Sequence, residues 1–465
     1  MISWLVILGI LYIVLLFFLA FRSKRRQKSA EDFIMAGSNI GMALGFMTFA
    51  ATLFSTFTLM GMPDFFRVHG IGAWIFLAVS DGGMVFLIVW FGYHLRRKVA
   101  EKGFRGMGGL LKACYQNKLA GFIYFFGVFV FLVPYVAIQI RGVAIFLNAI
   151  FPAAFPSWGW SIMIILTLLF YSEIGGLKGI MYADFMQAVI LMSVVWIIAG
   201  TCVSNLGGIV SMFDQVESVN TALLSTPGPK GLFNIQFLIA SFMVILFIPV
   251  TQPQLTVRLV VMRNLKETHR MAVAVGMFAI LILLPTCAIG MYGAIKYPEA
   301  STADFIANVL MFDQHAAIAA LTIIGLLAAA LSTSDSQIFA LGSEFRSLLK
   351  GDEKKILLRT RIAMVIFGFA ALILSILSSD ELVLIARVSF AGTSLMAPMI
   401  FSALFSRRQP GIDVGIVTFL GLLIFLSSVL GIIPSVIGEI RLDFLLLVCL
   451  GIYAAFSSLI RSKFL

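Results

Sequence analysis

Ala329, Ser332, Thr333 and Ser336 fall at positions i, i+3, i+4 and i+7 within the run Leu327–Gln337 (LAAALSTSDSQ). On a helix that spacing puts all four on one face. Asp335 lies beside them. The run sits inside an apolar segment of roughly residues 316–345, long enough to cross a bilayer. Hydroxyls and a carboxylate at membrane depth are costly unless they bind something. Hard cations such as Na⁺ take oxygen ligands of this kind. The stripe therefore reads as part of an ion site in a transporter.

The elements that must hold such a stripe are visible in the composition. The chain has 465 residues, 61% hydrophobic and 12% charged, with 44 Phe and 22 Met. A soluble domain could not cover itself with so few polar groups, and an all-α integral membrane protein is expected. Apolar runs of spanning length predict about thirteen helices. They lie near 2–21, 41–62, 71–95, 119–150, 158–176, 182–205, 233–254, 268–295, 316–345, 358–377, 381–406, 411–433 and 439–460. They are numbered helices 1 to 13 below. The first reads as a span and not as a cleavable leader, because no small-residue cleavage pattern follows it.

The loops between these runs alternate in charge. One set, including the tail after helix 13, carries twenty-seven of the 33 Lys and Arg; the other carries Arg67, Lys230, Lys296 and Arg441. Arg141 and Arg387 fall inside helices. Cytoplasmic loops hold the excess of cations, so the expected location is the cell membrane, with the N-terminus outside and the C-terminus cytoplasmic. The net charge of +11 then needs no nucleic-acid partner; the partners are the lipid bilayer, a small solute and sodium. The longest outer loop, about 206–232, is expected as a surface excursion, and no separate soluble domain is expected. Cys114, Cys202, Cys287 and Cys449 are scattered without metal-ligand spacing. His69, His94, His269 and His315 all fall in or near loops, and no P-loop, HExxH or strand-borne GxGxxG is present. Enzyme chemistry is not expected.

Two helices are interrupted at their middles. Helix 2 crowds Thr48, Thr52, Ser55, Thr56 and Thr58 into its centre. Helix 7 carries Pro249 and Pro253, each of which removes a backbone donor and obstructs the preceding turn. Backbone freed at membrane depth is tolerated where it is buried or lines a cavity. The two breaks are five helices apart, the spacing of an inverted repeat whose halves each begin with a discontinuous helix. A solute is expected between them. Candidates are Thr52, Ser55, Thr56 and Thr58 on helix 2, Ser80 and Asp81 on helix 3, and Gln139 and Arg141 on helix 4. Thr251, Gln252 and Gln254 on helix 7 join them, with Ser389 and Thr393 on helix 11. Arg141 needs a partner at depth, and its planar fork matches a carboxylate.

Five pieces of sequence carry a family likeness. They are Phe57–Pro63, Tyr171–Lys178 (YSEIGGLK), Asp184–Gln187 (DFMQ), Gln252 followed by Arg258 and Asn264–Glu267, and Leu327–Gln337. In that order the chain resembles the sodium/solute symporter family over nearly its whole length. The resemblance implies a leucine-transporter-type core of five plus five helices, helices 2–6 and 7–11. Residues 1–40 would then be an accessory first helix and linker, 41–406 the transport core, and 407–465 two accessory helices.

It also implies a sodium site made of the Ala51 and Phe54 carbonyls with Ala329, Ser332 and Thr333. A second sodium, present in some members, would fall among Asp184, Ser332, Asp335 and Ser336. Asp335 lies eleven residues before Arg346, about 16 Å along a helix, so it sits in the inner half of the membrane beside Asp184. Leu53 stands where some members have an acid, so that acid's role does not transfer. Members that carry sialic acids hold the substrate carboxylate with an arginine in helix 4, where Arg141 lies. The expected function is sodium-coupled import of a small organic solute with a carboxylate, by a chain acting as a monomer. A proton-coupled carrier on the same scaffold and a non-transporting solute sensor stay open at this point.

Overall fold

A computed structural model describes residues 2–24, 39–53, 55–104, 106–151, 153–172, 176–378, 382–406 and 409–464. Phe54, the cations Arg25, Arg26, Lys28, Arg105, Arg407 and Arg408, and Glu173–Gly175 lie outside these residues.

Each of the thirteen expected segments holds helix. Helix 1 is Ile2–Lys24; helix 2 divides into 2a (Met42–Leu53) and 2b, a π-turn at Phe57–Gly61 continuing as Met62–His69. Helices 3 to 6 are Gly72–Lys102, Lys118–Ile150, Ser157–Ser172 and Gly176–Asn205. Helix 7 divides into 7a (Ile235–Leu246), a single turn Ile248–Thr251, and 7b (Pro253–Val261). Helices 8 to 10 are Leu265–Lys296, Ala316–Leu348 and Glu353–Leu377. Helix 11 turns at its middle, between Leu382–Ser394 and Ala397–Phe405, and helices 12 and 13 are Ile412–Val429 and Leu442–Phe464. Among the described residues nine helices are long and apolar enough to cross a membrane, or up to eleven with each of two bent pairs taken as one span. Helices 1 and 5 fall short of that measure, with an apolar stretch of Ser3–Leu19 in the first and a length of 16 residues in the second.

Both expected breaks are present. The halves of helix 2 are inclined by 58° and those of helix 7 by 54°. In helix 7 the cause is local: Gln252 takes an extended conformation (φ −93°, ψ 119°), and Pro249 and Pro253 each sit in a first turn, where a missing N–H does no harm. Helix 7 also continues further than its apolar run suggested, to Val261 and not 254.

The cationic ends of the two broken helices are stitched together. Ile40 N donates to Val261 O (3.1 Å) and Arg263 N to Ile40 O (2.9 Å). Arg96 of helix 3 donates to the Leu259, Val260 and Met262 carbonyls, the acceptors that the end of a helix leaves over. The Asn264–Glu267 motif now has a physical reading. Asn264 caps helix 8 by accepting from Glu267 N (2.9 Å), and the Glu267 carboxylate reaches the Met42 N–H of helix 2a (2.7 Å).

Several loops contain helix that is too short to cross a membrane and so leaves no spanning run in the sequence. Met107–Tyr115 lies between helices 3 and 4, Ile209–Val219 between helices 6 and 7, and Thr302–Ala307 with a π-turn to Phe312 between helices 8 and 9. A two-residue hairpin, Val436–Ile437 with Ile440–Arg441, joins helices 12 and 13.

Candidate ion and solute site

Helix 9 packs against helices 6, 4 and 10 and touches 2a and 7b, so its polar face looks into the bundle. The Ser332 hydroxyl lies 3.1 Å from Ala51 O and 2.7 Å from Asp184 Oδ1, and the Thr333 hydroxyl lies 3.4 Å from Ala51 O. Ser332 has a single proton, and its shorter contact with the carboxylate takes it. The Ala51 carbonyl, in the last turn of helix 2a, then accepts from Thr333, and Ser332 Oγ turns a lone pair toward it. Converging carbonyl and hydroxyl oxygens of this kind suit a hard cation. Ala329 lies one turn earlier on the same buried face.

Asp184 is fully buried on helix 6, and its counter-charge is Arg258 of helix 7b, 2.9 Å from Oδ2. Arg258 is itself only 1% exposed. It also donates to Thr48 Oγ1 (2.9 Å), to Ser336 Oγ (2.8 Å) and to the Gln254 carbonyl, while Thr48 donates to Asp184. The sequence reading counted Arg258 among the cytoplasmic loop charges. Helix 7b instead carries it into the bundle, leaving twenty-six loop cations against four. Asp184 pairs with neither Lys178 nor Arg346. Asp335 is also fully buried, and both of its carboxylate oxygens lack a hydrogen-bond partner among the described residues.

The helix 2 break is held from two sides. Ser55 and Thr58 cap it reciprocally: Ser55 Oγ accepts from Phe57 N (3.3 Å), and Thr58 Oγ1 accepts from Ser55 N (3.0 Å). From helix 4, Gln139 Oε1 accepts from Thr56 N (3.1 Å), and the Tyr135 hydroxyl donates to Leu53 O (3.1 Å). Four polar residues read as solute contacts, Ser55, Thr58, Gln139 and Thr52, thus spend groups on the broken helix itself; Thr52 donates to Thr48 O (2.8 Å). The helix 7 break is similar. Thr251 donates to Phe247 O, its carbonyl accepts from Tyr124, and Gln254 donates to Gln252 (2.6 Å).

A cavity of about 30 Å³ lies between the two breaks, walled by helices 2, 3, 4, 7 and 11. Asp81 lines it, together with Arg387, Tyr135 and Ser241. Ser80 faces away, donating to Phe76 O, and Thr393 donates to Ser389 O (3.1 Å). Thr56 Oγ1 and Ser389 Oγ are buried without a hydrogen-bond partner among the described residues. Arg141 is half-buried on helix 4 and is not among the residues lining this cavity.

With the site in view, its relatives can be placed. The profile of the sodium:solute symporter family matches residues 33–410. The chain belongs to the sodium:solute symporter family. A sodium/pantothenate symporter of Haemophilus influenzae is 24% identical over 326 residues, covering 68% of this chain and 65% of its own length. The high-affinity proline transporter PutP of Bacillus subtilis is 22% identical over 409 residues, covering 83% and 84%. A Na⁺-coupled sialic acid symporter, solved substrate-bound and outward-open, matches with a TM-score of 0.79 at 16% identity over 98% of this chain and 96% of its own. MhsT in complex with L-phenylalanine matches with a TM-score of 0.54 at 13% identity over 90% and 97%. The fold is of the leucine-transporter type, and the chain is a multi-pass membrane protein of a transporter family.

Four residues of this family member's site went unread in the sequence. Thr48 sits one turn before Thr52 and was visible as part of the same stripe. Arg258 would have been found by continuing helix 7 beyond Pro253. Tyr135 lies one turn before Gln139 on helix 4. Arg387 was noted only as an intramembrane cation; its partner, Asp443, is contributed by helix 13 at 2.7 Å, and no spacing in the sequence links the two.

Proposed function

We propose that the chain couples sodium entry to the import of a small organic solute by alternating access between the two broken helices. The observation that carries this reading is the convergence of Ser332 and Thr333 on the Ala51 carbonyl beside an interrupted helix. Sodium would be held there by the Ala51 and Phe54 carbonyls, Ala329, and the Ser332 and Thr333 hydroxyls. Binding ties helix 2a to helix 9 and favours the solute-ready conformation; loss of the ion on the cytoplasmic side releases them. Coupling is then the difference in sodium affinity between two conformations. The sodium-dependent relatives support the ion; the solute is left to the chemistry of the cavity.

A second sodium among Asp184, Ser332, Asp335 and Ser336 would share Asp184 and Ser336 with the Arg258 guanidinium. In this arrangement Arg258 supplies the positive charge there, and one ion per cycle is the simpler reading. The transport core would comprise residues 41–406, with the N-terminus outside, and would work within one chain of the cell membrane.

The test is uptake into proteoliposomes by the Ser332→Ala, Thr333→Ala double variant. Sodium-stimulated uptake should fall to background while the purified protein remains folded. Retained sodium dependence would place the ion elsewhere. Uptake driven by a pH gradient without sodium would favour the proton-coupled alternative.

A further inference from the structure

We propose that Asp81 recognises a positively charged nitrogen, so that the solute carried by this chain bears an ammonium group. The inference rests on the reading of the bundle as a solute carrier, and three features of the cavity between the breaks support it.

Asp81 is 7% exposed, borders the cavity, and has no hydrogen-bond or ion-pair partner among the described residues. A carboxylate that far from water needs a counter-charge or a donor. Among the described residues the one cation beside it in the cavity wall is already committed: Arg387 pairs with Asp443 at 2.7 Å and donates to Ser241 at 3.0 Å. Arg441 approaches the same Asp443 at 3.3 Å from the more exposed rim. The charge left to be met by an occupant is therefore that of Asp81.

Apart from Ser241 the rest of the wall is apolar, six aliphatic side chains and four aromatic ones. Phe57, Phe76, Tyr135 and Phe390 line the same space. The Tyr135 hydroxyl is spent on Leu53 O, so that residue offers its ring and no donor. Aromatic faces around an acid attract cations, quaternary ones included. A polyhydroxylated solute would find few groups to pair with, and an anionic end would meet Asp81. The cavity of about 30 Å³ has room for little more than one or two water molecules, the size of an ammonium head.

The experiment uses the purified full chain and thermal unfolding in sodium, with solutes paired by shape and differing at nitrogen. Suitable pairs are L-proline with cyclopentanecarboxylate, 4-aminobutyrate with pentanoate, and tetramethylammonium with neopentane-sized neutral alcohols. The nitrogen-bearing member of at least one pair should stabilise the protein where its carbon analogue does not. Asp81→Asn should weaken that apparent affinity about tenfold or more, with Asp81→Glu intermediate. Stabilisation of Asp81→Asn by sodium itself shows that the variant is folded. The idea is overturned if carbon analogues stabilise equally, if Asp81→Asn binds as the parent does, or if no amine has any effect. A sodium shift without any amine effect sinks the role of Asp81 and leaves sodium coupling standing. An Asp81-dependent amine shift indifferent to sodium does the reverse.

Discussion

Asp184 and Arg258 come from helices 6 and 7b and meet where neither can reach bulk water. Each makes the other tolerable, and the Thr48, Ser332 and Ser336 hydroxyls fill their remaining positions. Removing one partner of such a pair strands a buried charge and costs about 3–5 kcal/mol, whereas removing both costs far less. Arg258→Ala should therefore lower the unfolding temperature markedly in sodium-free buffer, and adding Asp184→Asn should restore much of the loss. Equal stability of the single variant and the parent would mean the pair is broken in solution. This cycle also separates structure from ion binding, since Ser332 and Thr333 stay in place.

Between residues and the bundle lie the discontinuities. A broken helix exposes donors and acceptors that must be met by other elements. Helix 2 solves this with its own Ser55 and Thr58 and with Gln139 and Tyr135 of helix 4, which approaches closely because Gly142 faces Thr56: a Cβ there would stand 2.3 Å from Thr56 Cγ2. Helix 9 does similar work further along. Three turns beyond Ser332, buried Glu344 accepts from Met107 N (2.8 Å) and Gly108 N (2.7 Å), capping the short helix Met107–Tyr115 in a neighbouring loop. The helix bearing Ser332 and Thr333 is thereby tied to the cationic face of the protein. Glu344→Ala leaves two first-turn donors unmet. Hydrogen–deuterium exchange across 107–115 should accelerate about tenfold or more, with the loop 206–232 unchanged. Unaltered exchange would show that the cap holds nothing.

At the scale of the whole chain, the bias of loop cations predicts an orientation. With twenty-six Lys and Arg on one set of loops against four on the other, the loop that includes Lys350 is expected in the cytoplasm and the helix Ile209–Val219 outside. The prediction can be read by labelling. In a background with the exposed Cys449 replaced by serine, Ser218→Cys should react with an impermeant maleimide in intact cells, and Lys350→Cys only after lysis. The opposite pattern would invert the orientation and with it the direction of transport. The accessory helices are part of the same body: Tyr12 of helix 1 accepts from Gln187 of helix 6 (2.8 Å), and Asp443 of helix 13 neutralises Arg387 of helix 11.

The membrane class, the apolar segments, the two breaks and the oxygen-bearing face of helix 9 were all legible in the order of residues. They follow from local rules: length of apolar run, helical period, proline's missing donor, and the cost of hydroxyls in hydrocarbon. Which of those hydroxyls face the broken helix, and which merely cap it, was not legible, because Ser55 and Ser332 look alike in a sequence. Arg258 was misplaced for a related reason. A short helix after a break resembles a loop until its burial is known. Pairings such as Asp184 with Arg258 and Arg387 with Asp443, 74 and 56 positions apart, arise only when helices pack, since contact across a bundle depends on crossing geometry that no local spacing encodes.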